Sequence, residues 1–184
     1  MVNFLILGII IIVKAFFSEA ETAFTYLNKA KFNQMSKKAN KKKEKRINNL
    51  LNNKLSIFGT TRVGITFAEL LASAFAAEAF LGNMEEKLET FGLSNSLAYV
   101  IALVVITIIL SYFTLVFGEL LPKRIARNNP EKVAYKTVNA LVIFSKINYG
   151  FEKFLTASEN LFSKIFGLKN EPNEILTEKE IKMI

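Results

Sequence analysis

The sequence predicts an all-α membrane protein built on three transmembrane helices. Its 184 residues are 51% hydrophobic and carry a formal net charge of +8, and these two properties are separated along the chain. Residues 91–118 contain no formally charged side chain, whereas a helix needs only about 20 apolar residues to cross ~30 Å of hydrocarbon. Apolar runs of this length with basic flanks are typical of spanning helices.

The first predicted helix covers residues 1–27. No basic residue precedes its apolar start and no small-residue cleavage pattern follows it, so we predict a spanning helix rather than a signal peptide. At about 100° per residue, four polar side chains fall near one face of this helix. They are Lys14, Ser18, Glu21 and Thr22. Such a face requires another helix or water against it.

The segment between residues 28 and 54 is strongly basic and predicts the orientation of the chain. It holds ten Lys or Arg residues against a single acid, Glu44. Because basic loops beside spanning helices stay in the cytoplasm, we expect this loop inside a cell membrane and the N-terminus outside. The loop is expected to contact anionic lipid headgroups. Nucleic acid is not an expected partner, since the basic block lies between two spanning segments.

The second predicted helix covers residues 56–81 and mixes charged with small side chains. Small residues between Gly64 and Ala79 let helices approach closely, which favours a packed interior helix and permits assembly into a dimer. Arg62 and Glu69 lie on one face but two turns apart, so each is expected to find a partner on another helix. Residues 82–95 are acidic, as expected of an outside loop.

The third predicted helix covers residues 96–121 and ends in an unusual way. Glu119 lies at the inner end of the charge-free run, three residues before Pro122. Proline removes one helical hydrogen bond, so a kink and a freed carbonyl are expected beside a carboxylate at membrane depth. Intramembrane carboxylates usually face a cavity or a partner rather than lipid. The alternative is a simple helix stop with Lys123 and Arg124 at the interface.

After the third span, residues 131–167 interleave apolar and charged side chains. The longest charge-free run, residues 137–145, is too short to span, so we predict one or two amphipathic helices that lie at the cytoplasmic interface or against the bundle, with a possible break at Gly150. A fourth spanning helix is the alternative. Residues 169–184 are predicted to form a linker and the start of a cytoplasmic helix with a capping-box pattern.

The chain contains neither Cys nor His. Disulfides, the usual zinc ligands and any Cys or His catalysis are thereby excluded, and no serine lies in a nucleophile motif, so an enzyme is not expected. A bound metal ion would have to be held by oxygen ligands, which suit hard cations such as Mg²⁺ and Ca²⁺.

Two motifs resemble signatures of the CNNM/CorC family's transmembrane domain. Residues 16–23, Phe-Phe-Ser-Glu-Ala-Glu-Thr-Ala, resemble the first-helix signature, and residues 117–123, Phe-Gly-Glu-Leu-Leu-Pro-Lys, the third-helix signature. Residues 177–181 are similar to the start of the helix that precedes the family's CBS-domain pair. The resemblance covers residues 1–168 as a CNNM-type transmembrane domain.

What the resemblance implies is a homodimer whose chains each have three spanning helices and a cytoplasmic-side juxtamembrane helical hairpin. This dimer would export Mg²⁺ in exchange for Na⁺, with cytoplasmic regulatory domains C-terminal to residue 184. Ser18 and Glu119, the latter in a Gly-Glu pair with Gly118, match family residues that help to hold the ion. In the second helix the family usually reads Gly-Asn-Asn, whereas this chain has Gly64-Ile65-Thr66. The complete candidate set lies on all three spans. It comprises Ser18, Glu21, Thr22, Thr66, Glu69, Gly118 and Glu119, with Lys14 as a possible counter-ion.

Two alternatives remain open on the sequence. The polar residues of the three helices can form a metal-free network in which the Lys14 ammonium replaces the metal ion. The chain can also be a membrane anchor or sensor for further domains and move no ion itself.

Overall fold

The computed structural model describes residues 2–28, 31–32, 41–52 and 54–167. Across these ranges the chain is almost entirely helical and contains no strand, which confirms the predicted all-α fold. Three helical stretches in the described part are long and apolar enough to cross a membrane. They are Val2–Tyr26, Ile57–Thr90 and Asn95–Asn128.

The first spanning helix, α1, runs Val2–Tyr26, and the basic segment contains a second helix, α2, over Lys41–Asn52. The third helix, α3, runs Lys54–Thr90 and is nine residues longer at its C-terminal end than predicted. The predicted outside loop is therefore mostly helical. Its glutamates are good helix formers, and the chain turns only at Phe91 and Gly92, where Gly92 takes the left-handed φ of 88°.

The third span is helical past its predicted end. Helix α4 covers Asn95–Leu115, a π-helical turn covers Val116–Leu120, and helix α5 covers Leu121–Asn128. Pro122 lies in the first turn of α5, where a missing N–H is tolerated. The irregularity expected at Pro122 is thus the π-helical turn before it, in which the Leu121 N–H donates to the Val116 carbonyl five residues back.

Residues predicted as a juxtamembrane hairpin form one helix instead. Helix α6 runs Pro130–Ile165 without a break at Gly150. A glycine inside a helix costs only about 1 kcal/mol relative to alanine, and Gly150 does not adopt a positive φ. The stretch predicted as one or two helices is therefore one helix, and the break expected at Gly150 does not occur. The predicted linker and helix start over 169–184 lie outside the described residues.

The described part of the chain divides into two compact units, with the boundary between residues 147 and 148. In the first unit, the C-terminal half of α1 packs on α2, α5 and the start of α6 through a buried core that includes Phe17, Phe24, Ile47 and Val138. In the second unit, α6 presents exposed apolar side chains such as Phe154 and Phe162. The core around Phe17 fixes the position of the polar face of α1.

Small residues of α3 recur every fourth position and are buried. Gly64, Ala68, Ala72 and Ala76 form this ridge. At Gly64 an added Cβ would lie 2.7 Å from carbons of the Phe17 ring, and Ala72 and Ala76 cluster with Leu110 of α4. The small-residue face thus lets both α1 and α4 pack closely against α3 within one chain, and the dimer remains a prediction.

Candidate cation site

The centre of the polar cluster is the buried ammonium group of Lys14. The Lys14 side chain is 2% exposed, and its Nζ lies 3.0 Å from Glu69 Oε1 on α3 and 3.9 Å from Glu119 Oε2 in the π-helical turn. Three spanning segments therefore meet at one positive charge. An ammonium group at this depth requires such carboxylates, because an unpaired buried charge is strongly unfavourable.

Glu119 has a second cationic partner. Its Oε1 accepts a hydrogen bond of 2.7 Å from Lys123 Nζ, one helical turn later. The cluster thus contains two carboxylates and two ammonium groups, so its charges balance. Lys123 is the member that the sequence reasoning missed, because it was assigned to the membrane interface. The spacing of four residues between Glu and Lys was the available signal.

Gly118 provides the space in which the Lys14 side chain lies. A Cβ at position 118 would lie 3.0 Å from Lys14 Cδ and 3.4 Å from Lys14 Cγ. The buried glycine therefore lets the aliphatic part of Lys14 rest directly on the backbone of the π-helical turn. Because Pro122 has no N–H, the Gly118 carbonyl also lacks the donor that a regular α-helix would supply from position 122.

Ser18 lies one helical turn after Lys14 and is fully buried. Its Oγ has no hydrogen-bond partner among the described residues. Buried hydroxyls are normally satisfied, and an orphaned one in a native site indicates a missing water, ion or conformational partner. The hydroxyl is an oxygen donor of the kind that a hard cation uses.

The remaining predicted ligands divide into two groups. Thr22 is buried and Glu21 is half-buried on α1, in keeping with their position on the polar face with Ser18. Thr66 is exposed on α3 and is not part of the cluster, because the α3 residue that reaches Lys14 is Glu69, three positions later. The Glu69 side chain is itself 53% exposed, so one wall of the cluster is open.

The cluster can hold one positive charge between carboxylates that come from different helices. In the described part of the chain no three acidic, His or Cys side chains converge as a ready-made metal site. Here Lys14 supplies the cation. The oxygen atoms around it are carboxylate, hydroxyl and carbonyl groups, which bind hard cations rather than transition metals.

Three spanning helices around a buried charge cluster define a multi-pass membrane domain. The sequence profile of the Cyclin M transmembrane N-terminal domain, CNNM, matches residues 4–184. The chain therefore belongs to the CNNM family, which confirms the resemblance seen in its first and third helices. Membership is consistent with a transport-related membrane module.

Curated relatives with the UPF0053 designation match nearly the whole chain. UPF0053 protein sll0260 of Synechocystis is 25% identical over 96% of this chain, and YhdT of Bacillus subtilis is 25% identical over 99%. The inner membrane protein YfjD of Escherichia coli is 28% identical over 86%. The chain spans 39%, 40% and 34% of these relatives, respectively.

Proposed function

We propose that this domain carries Mg²⁺ out of the cell in exchange for Na⁺, and that the transported ion takes the place of the Lys14 ammonium group. The observation behind the proposal is that Glu69 and Glu119 converge on one cation inside the spanning segments, at 3.0 and 3.9 Å. A position that holds an ammonium group between two carboxylates has the charge that a metal cation requires.

The ligands that would receive Mg²⁺ are the Glu69 and Glu119 carboxylates, the Ser18 hydroxyl and the Gly118 carbonyl. Mg²⁺ prefers such oxygen ligands and keeps several waters when the protein supplies few of them. The orphaned Ser18 Oγ supports this set. The ion fits only after Lys14 has withdrawn, because the Lys14 ammonium group occupies the space between Glu69 and Glu119.

Lys14 would then act as a tethered competitor of the ion. When the ion leaves, the ammonium group returns to the carboxylates, so Glu69 regains a cationic partner at membrane depth. When the ion binds, the flexible side chain swings away along Gly118. The same carboxylates therefore alternate between an internal and an external cation.

Thermal unfolding in detergent with millimolar Mg²⁺ tests this exchange. A ligand that binds only the folded state raises its stability by RT ln(1 + [L]/Kd). Lys14→Met should increase the Mg²⁺-dependent stabilisation because it removes the competitor, and Glu119→Gln should abolish it. Glu78→Gln, which removes an exposed carboxylate of the same helix as Glu69, is the matched control and should respond like the parent. Vesicles with an internal Mg²⁺ dye then test transport.

The second candidate is a metal-free membrane anchor, which the 3.0 Å bond between Lys14 and Glu69 favours. On this alternative Mg²⁺ shifts the melting of neither the parent nor the Lys14→Met variant, and that result would overturn the transport proposal. The homodimer and the C-terminal regulatory domains remain predictions under either function.

A further inference from the structure

Helix α3 carries an exposed line of polar side chains inside its spanning segment. Arg62, Thr66, Glu69 and Ser73 are all exposed. At about 100° per residue these four positions fall within an arc of about 60°, so they form one stripe, which we call the α3 polar stripe. Between Arg62 and Ser73 the stripe covers about 16 Å of helix, roughly half of the hydrocarbon thickness.

The stripe lies between two other faces of α3. On one side is the buried ridge of Gly64, Ala68 and Ala72. On the other side are exposed apolar side chains, with Phe67 at 62% and Leu70 at 64%. The apolar face suits contact with lipid, whereas the polar stripe does not, because exposed charges inside a bilayer are rare and face a partner or water.

The two ends of the stripe differ. Towards the N-terminus of α3 it approaches the basic segment that contains α2. Past Ser73 the same side of α3 becomes apolar at Phe80 and Met84, which line an apolar cavity of about 430 Å³ with residues of α1 and α4. The α3 polar stripe is therefore followed by apolar side chains past Ser73, while its other end lies towards the basic segment.

We propose that the α3 polar stripe borders a water-filled route that leads from the α2 side of the membrane to the Glu69 carboxylate and ends near Ser73. Glu69 belongs both to the charge cluster and to the α3 polar stripe, since it contacts Lys14 while 53% of its side chain is exposed. The route deepens the proposed function, because it gives the ion a one-sided path to the cluster. On the predicted topology that side is the cytoplasm.

Cysteine accessibility tests the route without any transport measurement, and the chain contains no native cysteine. Single Thr66→Cys and Ser73→Cys variants in proteoliposomes are treated with a charged methanethiosulfonate reagent. Leu70→Cys and Ala74→Cys, exposed on the same helix outside the stripe, are the controls. Because thiolates react and apolar surroundings suppress them, we expect the stripe positions to react roughly tenfold faster or more.

Arg62 gives the experiment a second readout, since it lies one helical turn before Thr66, at the end of the stripe nearer to α2. Arg62→Gln should raise the rate of Thr66→Cys modification by a cationic reagent relative to an anionic one. Equal rates at stripe and control positions would overturn the route. A Thr66→Cys variant that does not react with the reagent but forms a disulfide between two chains would also overturn the route. That result would show that the stripe contacts a second copy of the chain. If the stripe positions react but Mg²⁺ does not shift the melting temperature, the water-filled route stands and the proposed Mg²⁺ transport is rejected.

Discussion

Lys14 Nζ and Glu69 Oε1 lie 3.0 Å apart although 55 residues separate them in the chain. The two side chains differ greatly in burial, at 2% and 53% exposure. The ammonium group therefore depends on its carboxylates, while Glu69 can also be stabilised by water. This asymmetry determines which substitutions should damage the domain and which should be tolerated.

Removing both carboxylates should be far more damaging than removing the lysine. Glu69→Gln with Glu119→Gln leaves the Lys14 ammonium buried without a negative partner, and breaking a buried pair in this way costs about 3–5 kcal/mol. We expect a loss of about 3 kcal/mol, at the lower end, because Glu69 is half exposed and screened by water. Unfolding in detergent measures the loss.

Adding Lys14→Met to that double variant should restore most of the stability, because no charge is then left buried. A triple variant as unstable as the double one would show that the ammonium group is not the source of the loss. Lys14→Met alone should be the mildest change, since Glu119 keeps Lys123 at 2.7 Å.

Gly118→Ala should displace Lys14 without changing any charge. The new Cβ would lie 3.0 Å from Lys14 Cδ, and a flexible side chain yields more readily than backbone. We expect tighter Mg²⁺ binding than in the parent, measured as a larger Mg²⁺-dependent rise in melting temperature. If Gly118→Ala and the parent respond equally, the position of Lys14 does not control access to the carboxylates.

Gly64→Ala should destabilise the fold, whereas Gly82→Ala in the same helix should not. A Cβ at position 64 would meet the Phe17 ring at 2.7 Å, and that ring is held by Phe144 at a centroid distance of 4.5 Å. Overpacking of this kind costs about 1–3 kcal/mol. At Gly82 no atom lies within 4 Å, so alanine should stabilise by up to about 1 kcal/mol. Equal effects in unfolding experiments would contradict the close packing of α1 on α3.

The predicted orientation can be tested at two exposed positions. Glu86→Cys, near the C-terminal end of α3, should react with an impermeant maleimide on intact cells, because the basic segment before α3 is expected to stay inside. Lys45→Cys in α2 should react only after permeabilisation. The reverse pattern would place the basic segment outside and invert the whole topology.

The three spans were predictable because hydropathy and length alone identify them. The end of α3 was not, since Glu85, Glu86 and Glu89 suit an outer loop by charge and a helix by propensity. Only the packing of the folded chain decides whether these residues form a loop or a helix. The same limit applies to α6, where Gly150 alone suggested a break that the helix does not contain.

The site was only partly predictable. The polar face of α1 follows from helical periodicity, and it correctly placed Lys14 beside Ser18. The partner of Lys14 on α3 could not be predicted from periodicity, because Thr66 and Glu69 lie on one face of α3. Only the packing of α1 on Gly64 determines which of the two side chains reaches Lys14. The contact between Glu119 and Lys123 is local and could have been found from spacing alone.

The π-helical turn at Val116–Leu120 holds one residue more than a regular helical turn would. Deleting a single residue from it would convert it into a regular α-helical turn. Circular dichroism would report an unchanged helix content, yet the ring of Pro122 would then clash with the carbonyl four residues before it, which costs about 3 kcal/mol or more. This short stretch therefore lets the third span continue past a proline, and one-residue length changes here should be more harmful than most substitutions.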